Sequence, residues 1–320
     1  MIWRRIPRSL VAWLVPAMVV VPSLVAAQDL TPRAYVATPV GSSAVIVVYA
    51  FADGELLFDP TLPITDATGT VHTPAVSYYY ALDVFGRSAN VTGVLPYAVG
   101  ELRGKLAGNE RVVERSGVGD TVLRFAVNLY GNPARRPLEF IKTPPARSIL
   151  GASIKVTAPT GQYYPERLVN IGTNRWAFKP ELGFSQRVWQ LVLDMYGGVW
   201  LFTDNHDFSP TPQTAGATRS QDPIAALEFH LSYDVKPRLW ISGDINYWRG
   251  GRTSVNGSKG IETLQANSRV GVTGSVPLTS HQALKVSYSD GVLVRIGGNF
   301  RVLSVGWQYS WFGLPRRGGS

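Results

Sequence analysis

The residues best placed to do chemistry are Glu228, His230 and Ser232, which alternate along residues 227–234. On a β-strand every second side chain points to the same face, so these three would share one surface. A carboxylate, an imidazole and a hydroxyl together form the residue set of an acid/base pair beside a nucleophile, as in an outer-membrane esterase or phospholipase. The polar interior of a barrel contains the same residue types, with the histidine hydrated or paired with Glu228. We favour this second interpretation.

Metal, thiol and cofactor chemistry find little support in the sequence. The chain contains no cysteine, which excludes thiolate metal sites, disulfides and thiol catalysis. Its four histidines are scattered and none has the spacing of a helical metal motif. Asp204, Asp207 and Asp222 surround one polar stretch but match no calcium-binding loop, so a solvated loop is the better interpretation. The sequence therefore predicts no cofactor, no metal and no enzyme activity.

Strands must position the candidate residues, because a period of two recurs along the chain. Between Trp176 and Phe184 the even positions are apolar or aromatic, whereas the odd positions include Lys179 and Glu181. Such a strand lies between hydrocarbon and water, or between the core and the surface of a soluble sandwich. An apolar run at 44–51 begins the series, and alternation follows at 76–82, 91–97, 123–129, 150–156, 176–184, 189–201, 227–233, 239–247, 264–273, 284–288 and 303–311.

About a dozen strands, joined by tight turns and by longer polar loops, favour a transmembrane antiparallel β-barrel of the outer-membrane type. The bilayer core contains no water, so open sheet edges would leave backbone groups unpaired and the strands must close. Residues 203–220 are interpreted as a long polar loop, residues 249–261 as a Gly/Ser/Arg-rich loop and residues 28–43 as an extended lead-in. A soluble ligand-binding β-protein in the periplasm is the alternative, although it would have to bury the aromatic residues of a dozen strands.

Charged side chains fall on the face opposite the apolar one, so they project into the barrel interior. They either line a narrow solute path or form a salt-bridged filling. Tyr79, Tyr196 and Trp240 lie on the same face, where they stack on an aromatic solute or simply pack, and packing is favoured. The predicted lumen-lining residues are Arg124, Lys155, Lys179, Glu181, Asp194, Glu228, His230, Asp244, Arg269 and Lys285.

The first 27 residues have the order of a secretory signal: basic residues, an apolar stretch and a small-residue exit at 25–27. We therefore expect a signal peptide at 1–27, the barrel at 28–312 and a tail at 313–320. The aromatic strand at 303–311 is predicted to engage the barrel-assembly machinery. Outer-membrane lipid and lipopolysaccharide are the other expected partners. The formal net charge of +9 is read as a solvated basic surface rather than a nucleic-acid site.

Three stretches carry a family resemblance: residues 52–64, the GVGD of residues 117–120 and, above all, residues 159–186. They resemble the outer-membrane family named for the MetA pathway of phenol degradation. The resemblance implies a barrel for passive uptake of small hydrophobic or aromatic compounds. The family motif covers Asn174, Arg175, Trp176, Phe178, Lys179, Pro180 and Glu181.

Overall fold

A computed structural model describes residues 30–57, 64–106, 108–167, 169–209, 215–260 and 263–312. The predicted signal peptide and C-terminal tail lie outside these residues. Twelve-strand closure follows from two facts. The first strand, β1 (Ser42–Leu57), pairs antiparallel with the last, β17 (Gly297–Phe312), and the other long strands pair antiparallel with their neighbours in the same sheet. The fold prediction is thereby confirmed.

The barrel wall follows the chain in order, with β4 and β5 forming one interrupted strand beside β3. The interruption falls at Gly119 and Asp120, between the two halves. The wall consists of β1 (Ser42–Leu57), β2 (Ile64–Val84), β3 (Arg87–Leu106), β4 (Asn109–Val118), β5 (Thr121–Tyr130), β6 (Ser148–Ala158), β7 (Ala177–Val188), β8 (Leu191–Phe202), β11 (Ile224–Lys236), β12 (Leu239–Gly250), β15 (Gln265–Pro277), β16 (Gln282–Leu293) and β17 (Gly297–Phe312).

The two loops predicted at 203–220 and 249–261 are not wholly irregular. They contribute a second, four-stranded sheet of β9 (Asn205–Phe208), β10 (Ala217–Gln221), β13 (Thr253–Val255) and β14 (Ser258–Lys259). These short strands lack a sustained apolar alternation, which is why their sequence indicates loops. The small sheet lies at the end of the barrel where the long connections meet, and we call this the long-loop end.

Short turns gather at the opposite, short-turn end. Only two residues separate β2 from β3, β7 from β8, and β11 from β12. The longest connection at this end, between β5 and β6, contains the one-turn helix α1 (Pro137–Lys142). In outer-membrane barrels the short turns face the periplasm and the long loops face outward. No helix among the described residues is long and apolar enough to cross a membrane.

The outer surface is apolar because each strand turns its aliphatic and aromatic positions outward. Leu123, Leu182, Leu231 and Ile245 are among the exposed side chains at mid-strand. Aromatic residues concentrate near the short-turn end, as expected for a membrane interface: Tyr78, Tyr80, Trp189, Tyr233, Tyr309 and Phe312. A belt of this kind suits hydrocarbon, and it excludes the soluble alternative, which needs those faces turned inward.

Candidate functional site

The chain segment before the first strand enters the lumen instead of merely leading to it. Residues 32–36 form a turn in which Tyr35 is buried, and the Tyr35 backbone carbonyl accepts a hydrogen bond of 3.0 Å from Asn128 Nδ2. The Tyr196 hydroxyl accepts 3.0 Å from the Ala34 amide, and the Tyr35 and Tyr196 rings meet edge to face. The prediction for residues 28–43 was incomplete, because an aperiodic segment gives no sign of where it docks.

Glycines make room for the Tyr35 ring. Gly151 and Gly183 are register partners on β6 and β7, and a Cβ on either would overlap that ring. The Tyr35 hydroxyl donates 2.9 Å to Glu181 Oε1 and lies 3.0 Å from Ser153 Oγ. This small N-terminal plug is therefore held by shape and by hydrogen bonds together.

Lys179 is the centre of the ionic network beside the plug. Its Nζ lies 2.7 Å from Glu181 Oε2 and 2.7 Å from Glu228 Oε1, and all three side chains are buried. Arg124 approaches Glu181 at 4.0 Å and packs over the Tyr35 ring. One ammonium shared by two carboxylates, with a second cation close by, balances the buried charge.

His230 belongs to a second row, in which the register places Asp194, His230 and Asp244 side by side across β8, β11 and β12. His230 Nδ1 lies 2.8 Å from Asp244 Oδ1, while its Nε2 is 3.6 Å from Glu228. The main partner of His230 is thus Asp244 on the neighbouring strand. Glu228, the expected partner two residues away, is engaged by Lys179.

Ser232 does not complete a catalytic set. Its Oγ is buried and has no hydrogen-bond partner among the described atoms. Asp244 also accepts hydrogen bonds of 2.9 Å from Ser242 and 2.7 Å from Thr273. Asp194 accepts from Ser185 Oγ and, at 3.1 Å, from the Arg33 amide. The hydroxyls of Ser242, Thr273 and Ser185 thus donate to carboxylates, and none of them is hydrogen-bonded to the His230 imidazole.

The other predicted lumen residues lie on the same inner surface but at different places. Lys155 packs over the Trp200 ring at 5.8 Å, close to the Lys179 network. Arg269 is buried and donates 2.8 Å to Ser289 Oγ, and Lys285 lies on the next strand, β16. The structure therefore brings eight of the ten residues together on β5 to β12 and leaves Arg269 and Lys285 on the opposite side. We call the first side, with the plug, the filled half.

An open cavity of about 1110 Å³ occupies the other side, the open half. It is lined by β15, β16, β17, β1 and β2, and at the short-turn end also by the plug and by the ends of β7, β11 and β12. One wall is made of small and aliphatic side chains from two adjacent strands: Ile46, Val48, Ala50, Ala52 and Val302. The cavity reaches the turn residues Pro237 and Arg238, so it opens at the short-turn end. At its inner end lies an apolar cluster in which Phe300 packs with Leu56 and Val71.

The three predicted interior aromatics have different surroundings. Tyr196 packs against Tyr35 and His230, while the Tyr79 hydroxyl lies 2.6 Å from Thr38 Oγ1. Trp240 alone of the three lines the cavity, with the Arg33 guanidinium 4.6 Å above its ring. Two of the three therefore pack inside the lumen, and one remains beside open space.

Among the described residues, no group of three or more His, Asp or Glu side chains is placed to hold a metal ion.

A family profile described as "Putative MetA-pathway of phenol degradation" matches residues 60–308. The chain belongs to this family. No curated protein matches the sequence significantly.

A solved outer-membrane channel shares the fold. The chain is similar to the COG4313 outer membrane channel from Pseudomonas putida F1, with a TM-score of 0.72 and 20% identity over 88% of this chain and 100% of that one. It is also similar to the CymD monoaromatic hydrocarbon channel, with a TM-score of 0.42 and 8% identity over 86% of this chain and 90% of that one. Family membership, the shared fold and the apolar belt indicate an outer-membrane location.

The stretches in which the sequence resembles the family, residues 117–120 and 159–186, meet at the long-loop end. Asp120, in the break between β4 and β5, accepts hydrogen bonds of 2.9 Å from the Gly161 amide and 2.6 Å from the Thr173 hydroxyl. Asn174 Nδ2 then donates 3.0 Å to Asn205 on β9. These contacts tie the loop before β7 to both the wall and the small sheet.

Two buried arginines, Arg175 and Arg219, lie at the long-loop end. Arg175 donates to Gln221 and packs over Phe202 at 4.4 Å, and Arg219 packs over Phe208 at 5.7 Å. Burial lowers the pKa of Arg175 to about 9, with repulsion from Arg219 as the next cause. Burial likewise lowers the pKa of Arg219 to about 10. Both remain protonated at neutral pH.

Sequence reasoning did not single out three residues that shape the lumen: Arg33, Tyr35 and Asp234. Asp234 accepts 2.6 Å from Arg33 Nη1 and 2.5 Å from Arg187 Nη1, which anchors the plug at the short-turn end. The polar position of Asp234 on its alternating strand was a usable signal. Arg33 and Tyr35 had none, because their partners are more than 100 residues away in sequence.

Proposed function

We propose that this protein mediates passive passage of small hydrophobic or aromatic compounds through the outer membrane, with the open half of the lumen as the solute compartment. The observation that carries the proposal is the cavity of about 1110 Å³ inside the barrel. Binding sites for small molecules are typically concave, of roughly this size, and lined mainly by apolar side chains with a few polar groups.

The family supports the choice of solute. Its description names phenol degradation, so phenols are the natural first compounds to examine. The aliphatic wall of β1 and β17 offers a dry surface to a ring, and Trp240 offers an aromatic face at the opposite side of the cavity. The polar residues named above, including Arg269 and Lys285, set the electrostatic field of the compartment in this proposal.

We propose no enzymatic role. A hydrolase would need the Ser232 hydroxyl hydrogen-bonded to a ring nitrogen of His230, whereas neither His230 Nε2 nor Ser232 Oγ has a hydrogen-bond partner among the described atoms. The lipopolysaccharide contact and the interaction of the C-terminal strand with the assembly machinery remain predictions.

The proposal is tested by the initial rate of radiolabelled phenol uptake into cells whose outer membrane carries the protein. Cells with the Ser304→Trp variant, which places a large side chain in the cavity, and cells without the protein are compared. Heat-modifiable gel migration confirms that each barrel is folded. We expect faster uptake with the native chain and a rate near that of the empty cells with the variant. Equal uptake in all three strains would overturn the proposal.

A further inference from the structure

The walls of the open cavity differ in charge. The β1 and β17 wall is uncharged, whereas the rest of the lining carries six cationic side chains and one carboxylate, Asp234. The cations are Arg33, Arg187, Lys236, Arg238, Arg269 and Lys285. A cavity with an apolar wall and a surplus of cations differs from one adapted to a neutral hydrocarbon, which gains nothing from a positive field.

The one lining carboxylate is already engaged. Asp234 accepts from both Arg33 and Arg187 through its two oxygens. The acids of the filled half are engaged as well, since Lys179 lies between Glu181 and Glu228, and Asp244 serves His230. Asp290 attracts Arg269 from β16, beside the cavity. The field inside the compartment is therefore positive at neutral pH.

The strand register shows how the polar and apolar parts of the cavity wall are arranged. One transverse row crosses five neighbouring strands and runs through Trp240, Ser275, Lys285, Gly306 and Val48. All five side chains or backbones line the cavity. Neighbouring strands are about 4.8 Å apart, so Trp240 and Lys285 are separated by roughly 10 Å with a hydroxyl between them.

Arg33 completes the polar end of the row. Its guanidinium lies 4.6 Å above the Trp240 ring, with Nη1 on Asp234, while its Nε and Nη2 have no hydrogen-bond partner among the described atoms. From Arg33 to Lys285 the row therefore carries two cations, the Trp240 ring and the Ser275 hydroxyl, and from Gly306 to Val48 it is apolar. The cationic part and the apolar part of the row therefore lie close enough for one small amphipathic molecule to contact both.

We propose that the cavity selects small amphipathic carboxylates, with the carboxylate near Arg33, Ser275 and Lys285 and the hydrocarbon part on Val48 and Ala50. This inference rests on the proposed function, because it takes the cavity as the solute compartment. Carboxylates accept charge-assisted hydrogen bonds from guanidinium and ammonium groups. These bonds are stronger than the contacts that neutral phenols or hydrocarbons make with the same groups.

Benzoate and benzamide are the probes, since they have nearly the same shape and differ in charge. Equilibrium dialysis of the purified full-length barrel in detergent at neutral pH measures the binding of each radiolabelled compound. We expect benzoate to bind at least about tenfold more tightly than benzamide, the effect of one hydrogen bond to a charged group. Raising the salt concentration is expected to reduce this preference.

Three variants assign the effect. Lys285→Gln is expected to weaken benzoate binding about tenfold and to leave benzamide unchanged. Lys285→Arg keeps the charge and is expected to retain the preference. Lys105→Gln is the matched control, because Lys105 is exposed, lies outside the cavity and pairs with Asp66. Folded barrel is verified by heat-modifiable migration before each measurement.

The outcomes separate the two proposals. Equal affinity for benzoate and benzamide, or a preference that survives in Lys285→Gln, overturns the carboxylate inference and leaves the cavity as a site for neutral solutes. Absence of binding by both compounds, together with unchanged phenol uptake in Ser304→Trp, overturns the proposed function itself.

Discussion

The two halves of the lumen are built from the same alternating strands, yet one is packed and the other is open. In the filled half, long charged side chains meet across β5 to β12 and the N-terminal plug occupies the remaining space. In the open half most inward side chains are small, serine, alanine, valine and glycine beside Arg269 and Lys285, and they leave a cavity of about 1110 Å³. Side-chain size and charge pairing on the inner face therefore decide where the lumen is open, because the backbone of the wall is alike in both halves.

The largest expected effect is the loss of the central cation of the filled half. Lys179→Met leaves Glu181 and Glu228 buried without the ammonium that they share. Removing one partner from a buried ionic group typically costs about 3–5 kcal/mol. The free energy of unfolding in urea, measured on refolded barrel in detergent, is expected to fall by this amount. Lys105→Met, which removes an exposed pair, is expected to change nothing measurable, and an equal loss in both variants contradicts the account.

A matched pair of substitutions tests the difference in packing between the two halves. Ser232 is fully buried in the filled half, whereas Ala50 lines the cavity. Ser232→Phe is expected to destabilise the barrel by about 1–3 kcal/mol or more, since an extra ring must displace packed neighbours. Ala50→Phe is expected to cost much less, because the ring enters open space. Urea unfolding of both variants checks the difference, and similar destabilisation would mean that the two halves are equally packed.

The smallest expected effect is local and concerns the plug. Gly151→Ala places a methyl group where the Tyr35 ring lies, so the segment of residues 30–41 is expected to leave its seat while the barrel stays folded. Trypsin should then cleave after Arg33 faster than in the native chain, as followed by mass spectrometry. Gly93→Ala is the control, because its methyl meets only Leu123, at an ordinary distance of 3.5 Å. Unchanged cleavage in Gly151→Ala would show that the glycine does not seat the plug.

Local periodicity made most of the fold predictable. The alternation at 227–233 and 239–247 lies within β11 and β12, because a strand between lipid and lumen must separate apolar from polar side chains at every step. The same rule explains why all ten predicted charged residues face inward. Which half each one occupies depends on strand register and closure, and the sequence of one strand contains neither.

The plug and the small sheet were beyond sequence reasoning for a related reason. Tyr35 contacts Gly151, Gly183 and Glu181, which are brought together only when the barrel closes. The four strands of the small sheet are at most five residues long. They are held by pairing with one another and by Asn174, in the loop before β7. Local pattern does not reveal contacts of this kind.

The central claim, that a solute occupies the open half and not the filled half, is tested most directly by single cysteines in a chain that has none of its own. Ser304→Cys lies in the cavity wall and Ser232→Cys in the filled half, and both are nearly isosteric changes. Each refolded variant is treated with methyl methanethiosulfonate, with and without phenol, and modification is followed by mass spectrometry. We predict rapid modification at position 304 that phenol slows, and very slow modification at position 232. Equal rates at the two positions, or protection by phenol at position 232 alone, would contradict the account.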